Sequence, residues 1–132
     1  MNILDAVNDL LHGEGVAMLG RDMPDSEAIK YVRSLSLRKQ FCLVRKWIWI
    51  DLEMPDAVRD KIISDRLQPV MIYAHNVIFD SASRFNPGDW VRSTLLAHFS
   101  DGHLFETQNT VYVLIGPGVR KSAQLSTVIH VF

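Results

Sequence analysis

The chain has 132 residues, with Lys plus Arg at 14, Asp plus Glu at 15, a net charge of −1 and one cysteine, Cys42. That length supports one hydrophobic core without staples, so residues 1–132 read as a single domain, and an apolar share of 48% is that of a globular chain rather than a disordered one. The balance excludes a global field that would draw the chain onto nucleic acid or an anionic membrane, and a lone cysteine excludes an intramolecular disulfide or a Cys-based zinc site.

No run approaches the ~18 apolar residues of a membrane span. The N-terminal MNILDAVNDLLHGEG carries acids where a signal peptide would be basic. The expectation is a soluble cytoplasmic protein with no cofactor and no membrane partner.

In chain order, Ile3, Leu4, Val7, Leu10 and Leu11 recur at helical spacing until Gly13 and Gly15 stop them. Asp25 or Ser26 caps a second helix carrying Ile29, Val32 and Leu35. FCLVRKWIWIDL (41–52) is aromatic and β-branched and predicts a strand. Its alternation puts Trp47 and Trp49 on one face with Arg45 and Asp51, and that tryptophan face is expected to pack on the helices. Pro55 opens a third helix at its first turn, with Val58, Ile62, Ile63 and Leu67 as its buried stripe.

From Pro69 the signals change to strands. VMIYAHNVIF (70–79) is followed by a polar loop with Asn86-Pro87-Gly88 as its turn, then by a strand from Trp90 to Phe99. Asp101-Gly102 is a two-residue hairpin signal, pairing Ser100 with His103 and Phe99 with Leu104. Thr110 to Ile115 forms the next strand after a turn at Gln108-Asn109. LSTVIHVF (125–132) reads as an edge strand available for homodimerisation. The predicted fold is α+β, with two or three N-terminal helices packed on a four- to five-stranded, mainly antiparallel sheet; a half-open barrel is the alternative.

The candidate sites are few. Gly116-Pro117-Gly118 stands before Arg120-Lys121, but Pro117 removes a backbone donor that a phosphate loop needs and no helix-opening G-x-x-x-x-G-K-[ST] is present. The stretch therefore reads as a sheet-ending turn. His98 and His103 fall on one face of the predicted hairpin without a third ligand at recognisable spacing, so no metal is expected. Cys42, between Phe41 and Leu43, reads as a small buried hydrophobe. Asp80, Asp89 and Glu106 are the carboxylates a hydrolase would need on one edge, and no G-x-S-x-G elbow accompanies them.

The stretches FNPGDWVRSTLLAHF (85–99), SDGH (100–103) and LFETQNTVYVLIGPGVRK (104–121) resemble a family of small uncharacterised bacterial proteins, frequent in pseudomonad genomes and often near prophage genes. The resemblance covers the C-terminal half and brings no catalytic residue with it. It implies an accessory or mobile-element protein.

The expected function is stoichiometric binding to a protein partner, as a phage- or prophage-encoded modulator of host machinery. Trp90, Arg92, Arg120 and Lys121 are the expected contact residues, because exposed tryptophan and arginine are the types that anchor interfaces. The alternatives are nucleic-acid binding through an aromatic and basic sheet surface and an unrecognised small hydrolase.

Overall fold

The computed structural model describes residues 2–131. The elements are α1 (Ile3–His12), β1 (Val16–Met18), α2 (Asp25–Ser34), β2 (Gln40–Glu53), α3 (Asp56–Ser64), β3 (Val70–Asp80), β4 (Val91–Arg92), β5 (His98–Ser100), β6 (Leu104–Glu106), β7 (Thr110–Leu114), β8 (Gly118–Gln124) and α4 (Leu125–Val131). The mixture of helices and strands agrees with the α+β reading. The rest of the expected architecture is corrected: the sheet has eight strands, it is mixed rather than mainly antiparallel, and a fourth helix lies at the C-terminal end.

The 14-residue β2 is the spine. One edge pairs antiparallel with β3 from Cys42 to Asp51. The other edge is shared. Its first half, Gln40–Val44, runs parallel to β7, and its second half, Ile48–Glu53, runs parallel to β8. Strands β6 and β5 continue the sheet from β7, β1 flanks β8, and β4 flanks β3. Gly116-Pro117 is therefore not the end of the sheet but a jog in one long edge, where the chain leaves β2 and rejoins it one step further on.

Trp47 fills the gap that the jog opens. Its indole Nε1 donates to the Gly116 carbonyl at 3.1 Å, and Gly118 passes directly over the ring. Gly116 makes the turn at φ +72, a left-handed conformation that favours glycine.

The pleat changes parity at Lys46, whose φ is +52. Val44 and Trp47 consequently face the same side, joining Cys42, Trp49, Ile72, Phe105, Tyr112 and Leu114 in the main core. Arg45 is sent to the opposite side, where its Nε donates to Asp25 at 2.6 Å and its guanidinium meets the Met23 carbonyl. The tryptophans thus pack within the curl of the sheet, not on the helices. The outer face carries two further clusters: Ile48, Ile50, Leu52, Met71 and Tyr73 beneath α1 and α4, and Leu43, Ile78, Val111 and Val113 beneath α2.

Four local expectations also change. Residues 125–131 are helix α4, because Leu125 and Val128, one turn apart, sit on the outer apolar cluster; the expected edge for dimerisation is absent among them, and Phe132 lies outside the described residues. The expected 90–99 strand is split near Ser93, whose buried hydroxyl accepts the Ile72 N–H at 2.8 Å and donates to the Thr94 carbonyl. The hairpin register is shifted by one, pairing Ser100 with Leu104 and Phe99 with Phe105, so that Asp101, Gly102 and His103 form the loop. Finally, α3 has no buried residue. Its expected core stripe stands off the sheet, with Val58 and Ile63 exposed.

Candidate functional site

The expected contact residues do not form one surface. Register runs Arg92–Tyr73–Ile48–Val119 across β4, β3, β2 and β8, so Arg92 is three strand spacings, about 14 Å, from β8. Trp90 stacks on Tyr73 (centroids 5.9 Å) on the outer face. Arg120 lies on the other face, over the Trp49 ring and bound to Asp51 through Nε (2.6 Å) and Nη2 (3.0 Å).

Lys121 is not a surface cation at all. Only 9% exposed, it donates to the carbonyls of Asp9 (2.7 Å) and Leu10 (3.0 Å) at the end of α1. Burial holds its ammonium below the usual lysine range, with the Asp9 carboxylate opposing that effect.

The structure instead builds a groove at the β4 end of the outer face. Its floor is Leu52, Met71 and Leu95; one wall is Ile62 of α3, the other Leu125, Val128 and Ile129 of α4; Arg92 and Thr94 close the end. The cavity is about 420 Å³, within the range of sites that take one or two side chains or a small ligand. Trp90, 53% exposed and stacked on Tyr73, stands next to Arg92 outside the groove and lines a neighbouring cleft with Phe85, Asp89 and Arg92. Ile129 is 65% exposed and Ile63 48% exposed. Among the described residues, Arg92 is the single charged residue of the lining.

The groove arises because α3 and α4 reach the sheet through only part of their apolar residues. Ile62 is the half-buried residue of an α3 that buries none completely, and α4 commits Leu125 and Val128 while Ile129 faces outward. The sequence names Trp90 and Arg92 but not Leu52, Ile62, Met71, Leu95, Val128 or Ile129. Those residues sit on five separate segments, β2, α3, β3, the stretch after β4, and α4, and become neighbours only through the fold. The one signal available was α3's apolar residues, and a helix stripe is ordinarily core.

The other candidates are engaged in structure. His103 is buried. Its Nδ1 donates to the Asp101 carbonyl at 2.7 Å, and its Nε2 is hydrogen-bonded to the Tyr31 hydroxyl at 2.7 Å. His98 is exposed at the start of β5, so the two do not converge, and among the described residues no group of three metal-ligating side chains occurs.

The three carboxylates are held apart by separate partners. Asp80 binds Arg84 through both oxygens (2.7 and 3.0 Å), Glu106 binds Lys39 at 3.0 Å, and Asp89 accepts the Asn86 N–H. Burial would raise the Asp80 carboxyl, but the Arg84 hydrogen bonds outweigh it and hold the group below its ordinary value. Cys42 is buried, and desolvation pushes its thiol up to about 12, in agreement with its reading as a core residue. No helix among the described residues is long and apolar enough to cross a membrane.

A family model described as "Domain of unknown function (DUF6957)" matches residues 18–130. The matched region contains every groove residue and begins after α1. No curated protein and no solved structure matches the chain.

Proposed function

The chain belongs to this family of unknown function, and we propose that it is a protein-binding module acting by stoichiometric association rather than by catalysis. The carrying observation is the groove between α3 and α4, apolar on its floor and both walls and closed by one guanidinium. Exposed apolar residues scattered singly are ordinary, but a concave patch with aliphatic walls is the form of an interaction site. Ile129, 65% exposed, stands on its α4 wall.

The partner that fits presents an aliphatic side chain to the floor and a nearby carboxylate to Arg92, whose fork suits planar anions. Trp90, next to Arg92, supplies a flat apolar surface for a side chain beside the carboxylate. Trp90 and Arg92 thus remain contact residues, joined by Ile62, Met71, Leu95 and Ile129. Arg120 and Lys121 stand outside the groove. The reading extends to a phage- or prophage-encoded modulator of host machinery, because a stoichiometric binder inhibits without turnover.

Panning a random peptide library on the wild-type protein tests this. Enriched sequences should carry an aliphatic residue within a few positions of Asp or Glu and should lose at least tenfold in affinity to Arg92→Glu and to Ile129→Asp. No enrichment, or enriched peptides that bind both variants as well as wild type, would refute it.

A further inference from the structure

We propose that α1 is a removable cover on the same face, and that the seat beneath it is the second half of the partner site, shaped for the C-terminal end of a partner helix. This rests on the protein-binding reading above and adds to it what regulates the site and what its other half receives.

Helix α1 is poorly seated for a core element. Of its ten residues only Leu10 is buried, and Leu4 is 75% exposed. Open space flanks it on both sides. A cleft of about 490 Å³ separates it from β8 and Glu53, lined by Ala6, Asp9, Ser122 and Thr127 among others. A second cavity of about 300 Å³ lies between its last turn and Lys46, Trp47, Ile48 and Pro117. Both are clefts open to solvent, so α1 is bordered by water on two sides. Its backbone packs more extensively on α4 than on any strand.

What fastens α1 is specific and confined to one end. Lys121 donates to the carbonyls of Asp9 and Leu10, and His75 Nε2 donates to the carbonyl of Leu11 at 3.1 Å. Terminal carbonyls are what every helix leaves without internal partners, and a cation there complements the helix dipole. Lys121 and His75 hold the backbone at this helix end, and side chains of α1 add to the hold: the His12 ring stacks on His75 (centroids 5.6 Å) and the Asp9 carboxylate lies near the Lys121 ammonium. The apolar contacts are generic: Leu10 and Leu11 rest on a cluster that includes Ile48, Ile50, Val119 and Val128.

That cluster is continuous with the groove. Leu52, Met71, Leu95, Leu125 and Val128 belong to both. Helix α4 stands between the two, with Leu125, Val128 and Ile129 toward the groove and Thr127 toward α1, so lifting α1 would bare the same cluster on the other side of α4. The occupant suited to the vacated seat is an amphipathic helix ending in two adjacent aliphatic residues, with its last carbonyls on Lys121 and His75. This is the chemistry that α1 itself presents with Leu10 and Leu11.

Hydrogen exchange on the full chain tests the cover without any partner, so its outcome is independent of whether the groove binds peptides. The amides of α1 should exchange at least a hundredfold faster than those of β2, and Lys121→Met should speed α1 a further tenfold while β2 is unchanged. Leu10→Asp should keep β2 protection and bind at least fivefold more anilinonaphthalene sulfonate. Equal protection of α1 and β2, or loss of β2 protection in Leu10→Asp, would overturn the cover. For the seat, a library of amphipathic helical peptides panned on Leu10→Asp should return sequences ending in paired aliphatic residues. Recovery no greater than on wild type would overturn that half.

Discussion

Gly118 is where the jog between β7 and β8 is most exacting. A Cβ there would lie 2.5 Å from Trp47 Cε2 and Cε3, and closer still to Cδ2, whereas carbon atoms settle at about 3.5–4.0 Å. The ring would have to move by about an ångström. It has nowhere to go: Trp47 is 1% exposed, its Nε1 is bonded to the Gly116 carbonyl, and Cζ2 closes on Gly20.

Overpacking costs about 1–3 kcal/mol, and losing a buried hydrogen bond costs about 1–3 kcal/mol more. Gly118→Ala should therefore destabilise by about 3 kcal/mol, lowering Tm by about 10 °C. Urea titration followed by tryptophan fluorescence measures it. The cost should shrink to about 1 kcal/mol in a Trp47→Phe background, since neighbours in contact are non-additive. Gly102→Ala, at φ +72 but with no atom within 4 Å of its Cβ, should cost only about 1 kcal/mol. A Gly118→Ala variant within about 0.5 kcal/mol of wild type, or one equally damaging without the indole, would refute the account of the jog.

Three further predictions concern titratable groups that are buried or half-buried. The Asp80 side chain is fully buried against Arg84, which is 31% exposed, so Asp80→Asn should cost about 2–4 kcal/mol by chemical denaturation. Because the folded carboxyl titrates below its ordinary 3.8, its contribution is complete above that value and is lost as pH falls through the folded pKa; the acid limb of a stability–pH curve should flatten in Asp80→Asn. His75 titrates below its ordinary 6.5 because burial outweighs the Leu11 carbonyl, with His12, Lys46 and Lys121 adding like charge. Its unfolded form then takes up a proton that the folded form resists, so stability should decline as pH drops below about 6.5, and His75→Phe should remove that slope. Cys42, with its thiol pushed up to about 12, should react with a disulfide reagent at pH 8 at least a hundredfold more slowly in the native than in the unfolded chain.

The helices α1, α2 and α3 were legible because their apolar spacing, and Pro55 before α3, are local; the expected Asp25 or Ser26 cap of α2 was not, since that helix starts after Pro24 with no side-chain cap. Strands β2, β3 and β7 were legible from composition. What failed depended on distant contacts. GVRKSAQ of β8 carries almost no strand signal and is held by pairing with β2 and β1 on either side. LSTVIHV, rich in β-branched types, is bent into α4 because Leu125 and Val128 meet the outer cluster only at helical spacing.

A single φ at Lys46 reversed the facing of Arg45, and one extra loop residue moved His103 from a hairpin face into the core. The candidate site suffered most, since Lys121 reads as surface from Arg120-Lys121 alone but is drawn inward by carbonyls more than a hundred residues away. Trp90 and Arg92 were found because residue type marked them; the groove that Arg92 closes is assembled by the fold.

The central claim is that the α3–α4 groove receives the partner. Two-dimensional amide NMR with a library-selected aliphatic–acidic peptide addresses it most directly. Shifts should concentrate at Leu52, Ile62, Met71, Arg92, Leu95, Val128 and Ile129, and vanish in Ile129→Asp. Shifts centred instead on Arg120 and the β5–β6 hairpin, with the groove amides unmoved, would contradict it.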